Sequence, residues 1–221
     1  FGGGTDYPQW YIKHGGIVVG MAIDKYSYIT ARKMPPFFDG VTHRLVYSKI
    51  EQVSDLTQVE HRAIKAVLSR FNDSYGYEIS HISDIPSRSG IGSSSTFVVG
   101  LLNVMYGLYG KRLSPKELAL QATSVVKREL KETVGCHAQI WAAYGGMNKI
   151  IFHKETGEFS VTPLLISSAL QEQISSSLIL CYTGQSRISS HVASTYAGDL
   201  SDKYESQQRK LMDLAIEDRK S

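Results

Sequence analysis

The sequence is poor in cysteine and has no long apolar run. Its 221 residues include only two cysteines, Cys136 and Cys181, which lie far apart and form no Cys-x-x-Cys pair. Isolated cysteines do not build a disulfide framework or a zinc site, so we expect reduced thiols in a cytoplasmic protein. No apolar stretch approaches the roughly 20 residues that cross a bilayer. We therefore expect no membrane partner.

Concentrated positive charge is also missing. The net charge is +3, and the lysines and arginines are scattered along the chain. Basic and aromatic residues do not interleave on any one predicted strand, so a nucleic-acid-binding module is poorly supported and we expect no nucleic-acid partner. Hydrophobic residues make up 42% of the chain, which is enough to bury a core in one or two domains.

A glycine- and serine-rich stretch at residues 86–96 separates two regular patterns. Residues 77–83 alternate as a strand does, whereas apolar residues recur at helical spacing from 97 to 108. A helix N-terminus presents free N–H groups, and glycine lets an anion approach the backbone. The pattern predicts a phosphate-binding loop, and an ordinary turn capped by serine is the alternative. The candidate residues are Arg88, Ser89, Gly90, Ile91, Gly92, Ser93, Ser94, Ser95 and Thr96.

The stretch differs from the two commonest nucleotide-binding loops. A Walker loop has a lysine after its last glycine, and a dinucleotide-binding loop has a third glycine and a later acidic residue. This sequence has neither arrangement. Apart from His137, which is considered below, the histidines show no metal-ligand spacing, so we expect them to be isolated surface or core residues.

Hydrophobic periodicity predicts an α+β fold. Residues 17–23 and 26–31 read as two paired strands and 44–50 as a third. Helices are predicted over 59–71 and from a capping box at Ser114 to about Lys131. A short helix before Gly145 is followed by a hairpin over 149–164. Residues 175–177 read as a loop, 178–182 as a buried strand, and a long polar helix follows from 189.

The opening loop is rich in glycine and in hydrogen-bonding groups. Gly4, Thr5, Asp6 and Tyr7 precede Pro8, which forbids a regular ladder. A flexible terminus is the alternative, but such ends are usually poorer in aromatic rings. We expect a tight loop that approaches a ligand.

Five motifs in this order resemble the GHMP small-molecule kinases, in particular their heptose and sugar kinase branch. They are Phe-Gly-Gly-Gly-Thr-Asp-Tyr-Pro at residues 1–8, Ile-Asp-Lys-Tyr at 23–26, Pro-x-x-x-Gly-Ile-Gly-Ser-Ser-Ser at 86–95, Ala-Ala-Tyr-Gly-Gly-Met-Asn at 142–148 and Thr-Gly-x-Ser-Arg at 183–187. The resemblance covers most of the chain. It implies an S5-like N-terminal domain over 1–165, packed on a ferredoxin-like C-terminal domain of which 175–221 would be the incomplete beginning.

The resemblance also implies an activity, which is ATP-dependent phosphoryl transfer to a sugar or sugar phosphate such as a heptose 7-phosphate. The loop residues Arg88 to Thr96 would hold the ATP phosphates, and Ser94 would help to bind Mg²⁺. Gly4, Thr5, Asp6 and Tyr7 would contact the sugar. Ser186 and Arg187 would reach a substrate phosphate, although a surface salt bridge is an equal alternative for the arginine. A homodimer is compatible with the sequence.

The sequence departs from the family at two catalytic positions. Val126 stands where the resemblance implies a metal-binding glutamate, and Ala138 stands where it implies an aspartate that serves as base or orients the attacking hydroxyl. Neither side chain can bind Mg²⁺ or accept a proton. Glu129 and Glu132 are weak replacements for the metal ligand, and His137 is a weak replacement for the base. The alternative is that both glutamates are solvated helix charges and that His137 is an ordinary polar turn residue. The alternative function is therefore a catalytically impaired relative that binds nucleotide or sugar phosphate as a regulatory or partner subunit.

Overall fold

The computed structural model describes residues 2–35, 37, 40–71, 75–87, 89–181 and 203–217. The chain divides into two compact units, one formed by Phe1–Ile23 with Gly145–Ser221 and the other by Asp24–Tyr144. The domain boundary expected between residues 165 and 175 stays a prediction. Arg88, Ser186 and Arg187 lie outside the described residues, as does most of the polar segment from 189 to 204.

Strands and helices alternate along the described residues, which confirms the mixed α+β class. The strands are β1 (Gly16–Met21), β2 (Ser27–Lys33), β3 (His43–Val46), β4 (Ile50–Val53), β5 (Tyr77–Ser83), β6 (Met147–Phe152) and β7 (Phe159–Pro163). The helices are α1 (Pro8–His14), α2 (Arg62–Leu68), α3 (Ser93–Leu108), α4 (Pro115–Ser124), α5 (His137–Tyr144), α6 (Ser168–Ser177) and α7 (Glu205–Glu217).

The unit formed by Asp24–Tyr144 is a four-stranded sheet covered by helices. Its strand order is β2-β5-β3-β4, with β3 and β5 parallel and the other pairs antiparallel. Alternation places one face of each strand toward α2 and α3, because successive side chains point to opposite sides of a strand. This face and the helices share one core, built from Leu45, Ile64, Val67, Leu68, Tyr77, Ile79, Phe97, Val98, Leu101, Leu102 and Met105.

The predicted capping box begins α4. The hydroxyl of Ser114 accepts the backbone N–H of Glu117, and the Glu117 carboxylate accepts the Ser114 N–H in return. The helix does not continue regularly to Lys131, because Val125–Glu129 forms a π-helical turn. Lys131 then adopts a left-handed backbone with φ of 55°. Such a π-turn is costly and is often found at functional sites.

The second unit, formed by Phe1–Ile23 with Gly145–Ser221, contains the antiparallel sheet β1-β6-β7. The β6–β7 pair confirms the predicted hairpin. The opening loop is joined to β1, since Thr5 Oγ1 lies 3.0 Å from the Ile17 carbonyl and accepts the Ile17 N–H at 3.2 Å.

Two strand predictions were wrong. The strands predicted over 17–23 and 26–31 form, but β1 pairs with β6 and β2 pairs with β5. The alternating pattern identifies a strand and carries no information about its partner. The strand predicted over 44–50 is a β-hairpin, β3 with β4, because the chain turns between Val46 and Ile50.

The segment after β7 also differs from expectation. Ser175 to Ser177, predicted as a loop, form the last turn of α6, where the Ser177 hydroxyl donates to the Gln173 carbonyl at 2.7 Å. The predicted buried strand at 178–182 is not a strand over its described residues, and Ile179 is 86% exposed. Apolar content alone predicted its burial, but no described strand pairs with it.

Candidate functional site: a glycine-bent loop at the start of α3

The loop between β5 and α3 contains two glycines in a conformation that other residues rarely adopt. Gly90 has φ of 82° and Gly92 has φ of 83°. Both lie in the left-handed region, where a Cβ atom costs roughly 1–2 kcal/mol. Gly92 is the N-cap residue of α3. The two glycines therefore turn the chain so that the helix begins directly at the loop.

The N-terminus of α3 carries no side-chain cap among the described residues. The Thr96 N–H donates to the Gly92 carbonyl at 2.9 Å, and this is the first turn's intrahelical bond. The N–H groups of Ser93, Ser94 and Ser95 precede it and are the orphan donors of the helix. Together with the positive end of the helix dipole, they form a site that suits an anion.

The hydroxyls of the loop have different environments. Ser94 is exposed, Ser93 is partly buried and Ser95 is buried. The Thr96 hydroxyl donates to the Gly92 carbonyl at 3.1 Å, so it is occupied by the helix itself. Ile91 is 44% exposed and offers only its backbone to a polar ligand.

Ser89 has a buried hydroxyl without a hydrogen-bond partner in the described part of the chain. A buried polar group in this state costs roughly 1–3 kcal/mol, and native proteins rarely leave one unpaired. The loop therefore fits an oxygen-rich group such as a phosphate, which would accept a hydrogen bond from this hydroxyl.

Ala138 lies against the phosphate-binding loop. It is the second residue of α5, and a Cβ atom placed on Gly92 would lie 3.4 Å from the Ala138 Cβ. The position at which the family resemblance implies an aspartate is thus next to the proposed phosphates, but it holds a methyl group. Val126 is 2% exposed and belongs to the hydrophobic core. Both positions lack a group that could bind a metal or a proton.

Glu129 and His137, named from the sequence as replacements for the metal ligand and the base, make contacts with other residues. Glu129 Oε1 accepts Arg70 Nε at 2.8 Å, and the same arginine binds Gln121 Oε1 at 2.6 Å and Ser124 Oγ at 3.0 Å. This network joins the end of α2 to α4 and the π-turn. His137 packs edge-on against Trp141, with ring centroids 5.5 Å apart. Their roles as metal ligand and base stay predictions.

A metal site is not evident from the described residues, which contain no group of three or more His, Cys, Asp or Glu side chains suited to an ion. Ser94 supplies one exposed hydroxyl, which is too few ligands for a protein-held Mg²⁺. The residues therefore fit ATP phosphates, whereas any Mg²⁺ would depend mainly on the oxygens of the phosphates that carry it.

The predicted sugar-contacting residues lie in the other unit. Asp6 is fully buried, and its Oδ1 accepts the Gly4 N–H at 3.1 Å. Thr5 and Tyr7 are also buried, and Gly4 has φ of 98°. The tight loop expected from the sequence is present, and its contact with a sugar stays a prediction.

Sequence reasoning missed a histidine cluster beside the first turns of α3. His81 Nε2 lies 2.7 Å from Ser27 Oγ, and the rings of His81 and His61 lie 4.7 and 5.0 Å from that of Phe97. Burial lowers the pKa of His61, against the opposing effect of Glu51. Burial and the neighbouring His61 lower the pKa of His81. In the sequence, the only available signal was that His61 comes just before the helix α2 and that His81 lies near the end of the strand β5.

A pocket of about 410 Å³ lies away from this loop. It is lined by His43, Asp55, Tyr75 and Tyr77, among others. Tyr77 begins β5, whereas the loop follows the other end of that strand, roughly 20 Å away for seven residues. The pocket is therefore separate from the phosphate-binding loop.

Part of the chain matches a known protein family. Residues 59–146 match the family model described as GHMP kinases N terminal domain, which confirms the predicted resemblance. Its relatives are sugar kinases. The chain is 25% identical over 212 residues to D-glycero-alpha-D-manno-heptose 7-phosphate kinase of Campylobacter jejuni, covering 91% of this chain and 62% of that protein.

Other comparisons agree. The chain is 28% identical over 158 residues to the galactokinase of Pyrococcus furiosus, covering 67% of this chain and 42% of that protein. It therefore spans less than two thirds of the length of both curated relatives.

Solved structures show the same fold. A D-glycero-D-manno-heptose 1-phosphate kinase from Bacteriodes thetaiotaomicron superposes with a TM-score of 0.69 at 23% identity, over 77% of this chain and 58% of that one. The mevalonate kinase of Methanococcus jannaschii superposes with a TM-score of 0.60 at 19% identity, over 96% of this chain and 68% of that one. Across the described residues, no helix is long and apolar enough to cross a membrane.

Proposed function

We propose that the protein transfers the γ-phosphoryl group of ATP to a hydroxyl of a sugar or sugar phosphate in the cytoplasm, with a heptose 7-phosphate as the favoured acceptor. The observation that carries the proposal is the loop at the start of α3, where two left-handed glycines expose an uncapped helix N-terminus beside the orphan hydroxyl of Ser89. The choice of acceptor is supported by the relative that is named as a heptose 7-phosphate kinase.

Phosphoryl transfer depends mainly on positioning and on neutralising charge. The free N–H groups of Ser93 to Ser95 would bind phosphate oxygens, and the Ser89 hydroxyl would donate a further hydrogen bond. ATP supplies the phosphoryl group, and Ser94 would contact a Mg²⁺ ion that the phosphates carry. Asp6 and its loop would orient the sugar.

A second function is favoured by the two altered positions. Val126 is buried in the core, and Ala138 places a methyl group beside Gly92. Loss of a general base or of electrostatic stabilisation each lowers rates on the order of 100-fold or more. The alternative is a relative that binds nucleotide or sugar phosphate without efficient turnover and acts as a regulatory or partner subunit.

Titration calorimetry with Mg-ATP, with and without heptose 7-phosphate, tests both functions when ADP release is followed in the same samples. Binding with sugar-dependent ADP release is the expected result. Binding without release would favour the subunit function, and absence of binding would contradict both. If ATP binds without ADP release, Ala138→Asp is the next variant, because this partly buried residue can accept a larger side chain more readily than Val126. Turnover gained by Ala138→Asp would identify a disabled kinase.

A further inference from the structure

Gln208 joins α7 to the opening loop. It is the fourth residue of α7, which packs against β1, and Thr5 holds the opening loop to the same strand. A Cβ atom placed on Gly4 would lie 2.8 Å from Gln208 Nε2 and 3.1 Å from Gln208 Oε1. The amide of Gln208 therefore occupies the space beside Gly4 that a side chain at position 4 would take, and both residues belong to one compact unit.

The amide of Gln208 is buried, and its oxygen has no partner in the chain. Gln208 is 7% exposed, and Oε1 forms no hydrogen bond in the part of the chain that the structure describes. Native proteins leave few buried acceptors in this state, because the lost hydration is not offset. For the fold alone, a leucine of similar size would be more favourable at this buried helix position than an unpaired amide. The oxygen is therefore available to a ligand.

Polar groups of the opening loop itself are partly used by its backbone. The Thr5 hydroxyl donates to the Gly2 carbonyl at 2.8 Å and accepts the Ile17 N–H at 3.2 Å. Asp6 Oδ1 accepts the Gly4 N–H at 3.1 Å, so it helps to hold the turn against which Gln208 packs. The unpaired amide oxygen of Gln208 adds an acceptor at this turn. A hydroxyl group suits it, because a hydroxyl can donate to an amide oxygen and accept from an amide N–H.

We propose that Gln208 binds a hydroxyl group of the sugar acceptor, which donates a hydrogen bond to Oε1. The inference rests on the proposed kinase function and extends the predicted sugar contacts from the opening loop to α7. Gln208 binds the acceptor and transfers no proton. It favours an acceptor with a hydroxyl at this position over one without, because the second would leave the buried oxygen unpaired.

Gln208→Leu tests this assignment, and Gln207→Leu is the matched control. Gln207 is the exposed neighbour on the same helix, where its side chain accepts the Ser206 hydroxyl at 2.9 Å. In Gln208→Leu we expect the Kd and the KM for heptose 7-phosphate to rise at least fivefold, since a buried sugar hydroxyl loses its partner. The Kd for ATP and kcat should stay within about twofold of wild type, because the lost contact is made equally before and during phosphoryl transfer. In Gln207→Leu all four constants should stay within about twofold.

The outcomes separate this inference from the proposed function. If wild type binds the sugar and Gln208→Leu binds it within about twofold, the role of Gln208 is wrong while the kinase function stands. If wild type binds ATP but neither binds heptose 7-phosphate nor releases ADP with it, the proposed acceptor and the role of Gln208 are both wrong. If Gln208→Leu does not fold, Gln208→Asn decides, because it keeps the amide but withdraws it from Gly4 by one methylene. Its sugar affinity should fall, and an unchanged affinity would overturn the inference.

Discussion

Gly92→Ala is the sharpest test of the phosphate-binding loop, because Gly92 both starts α3 and has a left-handed backbone. It is the N-cap residue of α3, and its left-handed φ of 83° fixes the conformation from which the helix begins. An alanine at this position must either retain the left-handed conformation at a cost or leave it and rotate the neighbouring peptide groups. Both responses can be measured.

The stability cost follows from the backbone. A left-handed alanine is destabilised by roughly 1–2 kcal/mol relative to glycine. The added Cβ would meet the Ala138 Cβ at 3.4 Å, which is an ordinary contact and adds little. For a chain of this size, 1 kcal/mol shifts the melting temperature by about 2–4 °C, so we expect a decrease of about 2–8 °C.

The effect on ligand binding is larger if the peptide rotates. Each hydrogen bond to a charged group contributes roughly 1.5–3 kcal/mol. Loss of one such bond to a phosphate oxygen would weaken ATP binding by about 10- to 100-fold, since 1.4 kcal/mol corresponds to a factor of ten. Calorimetric titration of ATP reports this change directly.

Substitutions at two other glycines distinguish a loss of stability from backbone strain from a loss of ATP affinity. Gly90 has φ of 82° and Gly110, after the far end of α3, has φ of 67°, and a Cβ on either would meet nothing within 4 Å. Gly90→Ala should therefore weaken ATP binding as Gly92→Ala does, whereas Gly110→Ala should lower stability and leave ATP affinity unchanged. If Gly92→Ala melts and binds ATP as wild type does, the loop does not have the conformation described here.

Two further predictions concern stability. Burial lowers the pKa of His61 and of His81, so the folded state binds protons more weakly than the unfolded state does. The stability that the two neutral histidines contribute is fully present above their unfolded pKa of about 6.5. It is lost as the pH falls from there toward their lower folded pKa values. Melting temperatures between pH 7.5 and 5.5 should show this loss, and His81→Gln should reduce it; an unchanged slope would contradict the cluster. Arg70→Met removes the bonds to Glu129 and to Ser124 of α4, so we expect a loss of roughly 2–4 kcal/mol in denaturant unfolding, and a loss below 0.5 would mean that the network contributes little.

Local signals in the sequence predicted most elements around the site. Ser114 and Glu117 are close enough in sequence to specify the start of α4 by themselves. The alternation before the glycine-rich stretch and the helical spacing after it located β5 and α3 in the same way. Pairing is different, because strands of similar pattern compete for partners and tertiary packing decides between them. Periodicity therefore could not predict that β1 and β2 belong to different sheets.

Glu129 and Glu132 show why the candidate site was harder to predict than the fold. In an uninterrupted helix, Glu129 and Glu132 would share roughly one face and appear equivalent as substitutes for the residue missing at Val126. The π-turn and the left-handed Lys131 remove this equivalence, because they end the helix between the two glutamates. Arg70, distant in sequence, then engages one of them, while the chain reversal at Val126 leaves the other half-buried and unpaired within the described structure. Only the fold distinguishes the two carboxylates.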